Sequence, residues 1–231
     1  MNDHLKECRS YTLPWIDHKS SLQSIKKLLK FGTLRKFSEG DCISRQGEKA
    51  ETIYYLKTGK VRVVMVTPEG KEKTLWYAIS GNIINDVSFF HHLPSNASII
   101  ACEDCEVYGF ERVIFNRLLI DHPELSEDML KSMAMRIRVL VHQLDTISFL
   151  KPITQICRFL YSFSEKYGKT VGHEIHIHLD ITHAEIASIN SLHRVTVSKI
   201  LRRLENEGII YYNNNGVICI KDIDKLSNYA L

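Results

Sequence analysis

The sequence predicts an α+β chain: a β jelly roll, then one long helix, then a winged helix-turn-helix. Three patterns predict it. Short β-prone runs fill residues 34–110, with a glycine turn signal about every ten residues. A helical apolar repeat follows and holds its register for about two and a half heptads. Last come a short helix, a tight turn, a longer helix and a β-hairpin.

Residues 1–20 read as an extension. Their start, "MNDHLKECRSYTLPW", lacks the apolar stretch of a signal peptide, and no apolar run of the chain reaches membrane-spanning length. A cytoplasmic protein is expected. Residues 21–122 read as the jelly roll, with strand-like runs such as "ETIYYLKTG", "KVRVVMVTPEG" and "KTLWYAISG", and a hairpin turn at Pro68-Glu69-Gly70.

Residues 123–150 read as the long helix, opened by Pro123. Leu130, Met133, Ile137, Leu140, Leu144 and Ile147 recur at alternating spacings of three and four, which makes a seam for a second helix. A helix lying on its own barrel is the alternative, and both can hold at different heights. Two chains joined along the seam form a two-fold dimer, which suits a palindromic DNA site.

Residues 151–231 follow a hinge at Lys151-Pro152. Thr182 and Glu185 form a capping box, so a helix starts at His183. Ala184, Ile186, Ala187 and Ile189 give it a small apolar side. Asn190, Ser191 and Leu192 make the turn, and a left-handed backbone at Ser191, where such turns often carry Gly, costs something. From Arg194 onward Val197, Ile200, Leu201 and Leu204 form a buried stripe. Arg194, Val195, Ser198, Lys199 and Arg202 are left on the other sides, where a recognition helix carries its base-reading and phosphate-binding groups. Gly208 stops the helix, and "IIYYNNNGVICI" reads as a hairpin around Asn215-Gly216. A purely structural helical hairpin beside a β-hairpin is the alternative reading.

Bulk properties are those of a soluble globular protein, 44% hydrophobic and 25% charged. Net charge is +3, and residues 150–231 carry ten Lys plus Arg against eight Asp plus Glu. Any electrostatic footprint for DNA is therefore local. Six scattered cysteines in a cytoplasmic chain predict no disulfide framework, and Cys102-Glu103-Asp104-Cys105 has no second pair at zinc-ribbon spacing. His173, His176 and His178 are expected on the solvent side of one strand, more simply an exposed face than a metal site.

The stretches "QGEKAETIYYL" (Gln46–Leu56), "GNIINDVSFF" (Gly81–Phe90) and "THAEIASINSLHRVTVSKILRRLENEGII" carry a resemblance to the cyclic-AMP receptor protein and fumarate-nitrate regulator family of bacterial transcription factors. It covers about residues 20–220. It implies a cyclic-nucleotide-binding-like jelly roll, homodimerisation, binding to double-stranded DNA, an effector held in the barrel and contact with RNA polymerase. On the helix-turn-helix it points to Thr182, His193, Arg194, Val195, Thr196, Ser198, Lys199 and Arg202 as DNA-binding residues.

The effector site departs from the nucleotide-binding members. Their Gly-Glu-Leu turn reads Asn85-Asp86-Val87 here, and Asn96 stands where they carry the phosphate-pairing Arg. Leu140 and Val141 occupy the positions of the hydroxyl pair that meets the adenine. Cyclic AMP is therefore not the expected effector. Nor are the clustered N-terminal cysteines of the iron–sulfur branch present, since only Cys8 lies there, and no His stands out as a haem ligand. No cofactor is implied. The expected pocket is bounded by Trp76, Tyr77, Asn85, Asp86, Val87, Ser88, Asn96 and Ala97, with Leu140 and Val141 of the long helix. It suits a small, largely apolar or aromatic molecule. Val195-Thr196-Val197-Ser198 is similar to the branch that senses halogenated aromatic acids, one alternative for the effector; a redox response through cysteines is another.

Enzymatic function is not expected. A cupin-type metal oxygenase needs His-x-His within the barrel, whereas His91 and His92 are adjacent and fall on opposite faces of a strand. A regulatory module attached to a kinase or channel would need a catalytic or membrane-spanning segment in place of the winged helix.

Overall fold

The computed structural model describes residues 15–16, 23–177, 181–213 and 216–230. Cys8, His178, Leu179, Asp180, Asn215 and most of the N-terminal extension lie outside them. The chain divides into two compact units between Arg138 and Val139. Among the described residues no helix is long and apolar enough to cross a membrane.

Among the described residues the first unit holds nine strands: β1 (Trp15–Ile16), β2 (Thr33–Phe37), β3 (Cys42–Ser44), β4 (Thr52–Thr58), β5 (Lys60–Val66), β6 (Glu72–Ile79), β7 (Ile83–Ile84), β8 (Ser98–Ala101) and β9 (Cys105–Glu111). They form two sheets of order β1-β6-β5-β8-β3 and β2-β9-β4-β7. Side-chain alternation explains two cores from one set of strands. Tyr54 and Leu56 of β4, with Cys105 and Val107 of β9, face Val61, Val63, Trp76 and Ala78 inside the roll. Their neighbours Ile53, Tyr55 and Phe110 face outward, into a second core beneath helices.

Those helices include three that no periodicity announced: α1 (Gln23–Lys26), α2 (Asp86–His91) and α3 (Arg112–Asp121). Ile25, Phe89 and Phe115 are their anchors in the second core. His91 and His92 consequently end a helix instead of lying in a strand, and His92 takes a left-handed backbone with φ of 61°.

α4 (Pro123–Phe149) opens at its proline and carries two stripes. Leu125 and Met129 are buried in the second core, with Met133 packed against it. Ser132 and Arg136 continue the buried side. Leu130, Ile137, Leu140, Leu144 and Ile147 of the heptad seam stay exposed, Ile137 and Leu144 at 60% and 61%. Met133 alone of the seam is half-buried, because its position borders both stripes.

In the second unit α5 (Pro152–Tyr167) starts with Pro152 at its first turn, and Lys151 before it is extended. Ile156, Cys157, Leu160 and Phe163 bury its inner side. Strands β10 (Gly168–Val171), β11 (Glu174–Ile177), β12 (Ile210–Tyr212) and β13 (Ile218–Ile220) make a sheet of order β10-β11-β13-β12. Helices α6 (His183–Asn190), α7 (Arg194–Asn206) and α8 (Ile223–Ala230) complete it. β12 and β13 pair antiparallel, with Gly216 at φ of 73° in their turn, so the wing stands where the hairpin signal put it.

Candidate functional site

The helix-turn-helix is built by local bonds. Thr182 Oγ1 accepts from Glu185 N at 3.2 Å, and Thr182 N donates to Glu185 Oε2 at 2.8 Å, which closes the capping box and fixes where α6 begins. Ser191 ends α6 in the left-handed region with φ of 55°. A non-glycine residue holds that conformation at some cost in backbone energy. α7 then starts at Arg194 with His193 as an extended N-cap whose side chain makes no capping hydrogen bond.

Val197, Leu201 and Leu204 are fully buried, while Ile200 is partly so. The opposite side of α7 carries Arg194, Val195, Lys199 and Arg202, all exposed, with Thr196 and Ser198 half-buried beside them. Arg194, Lys199 and Arg202 have no ion-pair partner among the described residues. Arg203 differs: its Nε lies 2.7 Å from Glu207 Oε1, and its guanidinium also bonds Tyr229. A helix with a buried back and three uncompensated cations on its front can hold phosphates and reach base edges. Ser198 is less free than its position implies, since its hydroxyl is bonded to His183.

The first unit contains a small cavity of about 40 Å3, partly open to solvent, with an apolar floor that includes Val63, Trp76, Ile84 and Ile99. Asn85, Asp86, Val87, Ser88, Asn96 and Ala97 line it. Tyr77 does not. Successive strand residues point to opposite faces, so Trp76 looks into the roll while Tyr77 is buried on the other side, under the Lys60 ammonium 4.6 Å from its ring centre. Leu140 and Val141 are not among the lining residues either; both belong to the second unit and are exposed.

Two expected pocket contacts turn out to hold the frame. Asn85 adopts a left-handed backbone, which Asn tolerates, and its amide bonds Thr52 O and Ser44 Oγ, each at 2.9 Å. Ser88 donates its hydroxyl to Leu93 O. Asn96 is exposed, and its side chain has no hydrogen-bond partner among the described residues. Lys73 lies off the cavity, and burial lowers its ammonium to about 8.

Sequence reasoning missed the dominant polar group. Arg136 reaches the cavity from α4 and pairs with buried Asp86. It also donates to Ile83 O at 2.6 Å and Ser132 Oγ at 3.2 Å, with its guanidinium 5.9 Å from the Trp76 ring centre. Asp86 Oδ2 has no hydrogen-bond partner among the described residues. The pair leaves the cavity formally neutral. The separation of 50 residues between the partners hides the contact from any local motif.

His173 sits in the turn before β11, so it does not share a strand face with His176, whose Nε2 is 3.5 Å from Glu174 Oε2. Among the described residues no cluster of His, Cys, Asp and Glu can hold a metal ion. Burial raises the thiols of Cys105 and Cys157, the latter to about 12, which disfavours the reactive thiolate.

Comparison with known proteins agrees with this architecture. A cyclic nucleotide-binding domain model matches residues 34–122, and a Crp-like helix-turn-helix domain model matches residues 154–229. The chain is similar to the cAMP-activated global transcriptional regulator CRP of Salmonella typhimurium, 27% identical over 186 residues that cover 80% of this chain and 88% of the relative. Among solved structures it resembles a CooA mutant from Carboxydothermus hydrogenoformans, with a TM-score of 0.80 at 22% identity over 92% of this chain and 97% of the other. It also resembles CprK complexed with OCPA, with a TM-score of 0.78 at 21% identity, over 94% and 97%. With both domain models in place and in this order along the chain, the protein belongs to the cyclic-AMP receptor protein and fumarate-nitrate regulator family of DNA-binding transcription regulators.

Proposed function

We propose that the protein is a homodimeric transcription factor whose binding to a palindromic DNA site is governed by a small effector other than cyclic AMP, held in the jelly roll. Residues 21–122 serve as effector domain, 123–150 as dimer helix and 151–231 as DNA-binding domain, with RNA polymerase as a further partner. One observation carries the reading most: α7 presents Arg194, Lys199 and Arg202 exposed and without an ion-pair partner among the described residues, on a helix whose other side buries Val197, Leu201 and Leu204. Arg194, on the first turn, suits bidentate bonding to a guanine, while Val195 offers only an apolar contact, such as a thymine methyl. Arg202 lies two turns further on and meets the backbone.

The two arginines separate experimentally. Arg194→Ala should cost about 1–3 kcal/mol and relax selection at one base pair, whereas Arg202→Ala should weaken all sequences alike and flatten the salt dependence. Binding measured on matched and altered sites across a salt series checks both. Equal losses on every sequence for Arg194→Ala would remove it from base reading.

The effector reading rests on the cavity. Its one guanidinium is already neutralised by Asp86, and Asn96 offers a cyclic phosphate no charge. A partly buried phosphate there keeps its desolvation cost without charge-assisted bonds. The apolar floor fits a small, largely apolar or aromatic molecule instead. Calorimetry should find no saturable binding at millimolar cyclic AMP; micromolar affinity would overturn this assignment.

A further inference from the structure

Three side chains join both helices of the helix-turn-helix to the wing. His183, the first residue of α6, holds Nδ1 2.9 Å from Ser198 Oγ on α7 and Nε2 2.9 Å from Tyr212 Oη on β12. All three are half-buried. Neither hydroxyl has a second hydrogen-bond partner among the described residues.

Proton bookkeeping then couples the directions of the two bonds. A neutral imidazole has one N–H, so one ring nitrogen donates and the other accepts. Burial pushes the Tyr212 phenol up to about 12, so it keeps its hydrogen near neutral pH. The acceptor within reach of that hydrogen is His183 Nε2. Nδ1 then carries the imidazole hydrogen and donates it to Ser198 Oγ. Ser198 accepts, and its own O–H hydrogen is left over. The reverse tautomer, in which Ser198 donates to Nδ1 and Nε2–H donates to the phenol oxygen, leaves the phenol hydrogen over instead; a phenol is the stronger donor and weaker acceptor of the two hydroxyls, which favours the first arrangement.

Ser198 stands four residues from both Arg194 and Arg202, so it shares their side of α7. We propose that His183 and Tyr212 fix Ser198 as a hydrogen-bond donor toward an acceptor atom on a major-groove base edge, which makes Tyr212 of the wing a positioning residue for sequence reading by α7. Thymine O4, guanine O6 and purine N7 are acceptors of this kind, while the cytosine amino group is not. The inference rests on α7 being the base-reading helix.

The test has a spectroscopic arm and a DNA arm, both on the full chain. Nitrogen-15 NMR of histidine-labelled protein at about pH 8, where imidazoles are neutral, reads the tautomer directly. Wild type should show His183 protonated at Nδ1, and Tyr212→Phe should shift it toward Nε2. In binding-site selection, Ser198→Ala and Tyr212→Phe should relax the same base pair, each losing about five- to tenfold on the preferred site, the range of one hydrogen bond. Thermal unfolding of both variants checks that the fold persists. A wild-type Nε2–H tautomer overturns the proposal without any DNA being present. So does an unchanged base preference in Tyr212→Phe, or a uniform loss across sequences in Ser198→Ala, which would assign the hydroxyl to a phosphate. Arg194→Ala serves as control: if it leaves the consensus unchanged, the reading of α7 itself fails, whatever the tautomer.

Discussion

Replacing Ile137 and Leu144 together by lysine is expected to give a folded monomer that binds its operator far more weakly. Both side chains are exposed by 60% or more in the single chain, so the change removes no internal contact. Along a seam shared by two chains, the same change brings four like charges into an apolar interface. Each buried, unpaired ammonium costs several kcal/mol after relaxation, about the scale of a whole dimer interface. DNA affinity should fall with dimerisation, because two half-sites bound by separate monomers lose the effective concentration that linkage provides, about 100-fold or more. Sedimentation equilibrium at micromolar protein measures the first effect and operator titration the second. A variant that stays dimeric would place the interface elsewhere than α4.

Removing the guanidinium at Arg136 should produce the largest loss of stability of any single change discussed. Arg136→Leu leaves Asp86, 2% exposed, with both carboxylate oxygens unpartnered in an apolar roll. Breaking a buried pair from one side costs about 3–5 kcal/mol, whereas removing both charges is often close to neutral. The Asp86→Leu, Arg136→Leu double variant should therefore be more stable than either single variant, with a coupling of about 1–3 kcal/mol in denaturant unfolding. Additive losses would show that the two groups do not depend on each other.

How much of this was legible in sequence follows from range. The capping box at Thr182 and Glu185, the stripe Val197, Leu201 and Leu204, and the stop at Gly208 are set by bonds within a few residues, and the helix-turn-helix stands as those signals laid it out. The heptad stripe of α4 was legible too, but the sequence showed one apolar side where the helix has two, since Ser132 and Arg136 interrupt the buried one with polar residues. α2 and α3 were missed because each is short, and α2 begins at an Asn in a left-handed conformation that reads as a turn. In the site, the strand parity that separates Trp76 from Tyr77 was available and went unused. The Arg136–Asp86 pair and the His183 chain were not available, because their partners lie 15 to 53 residues apart and only the fold unites them.

Selection of binding sites from random DNA by the wild-type protein tests the central claim, that α7 reads bases from a two-fold dimer. The expected consensus is a palindrome rich in A·T pairs, with half-site centres about one helical turn apart. It should carry a preferred G·C pair in each half that Arg194→Ala releases. A consensus without two-fold symmetry, or one that Arg194→Ala leaves unchanged, would contradict the account.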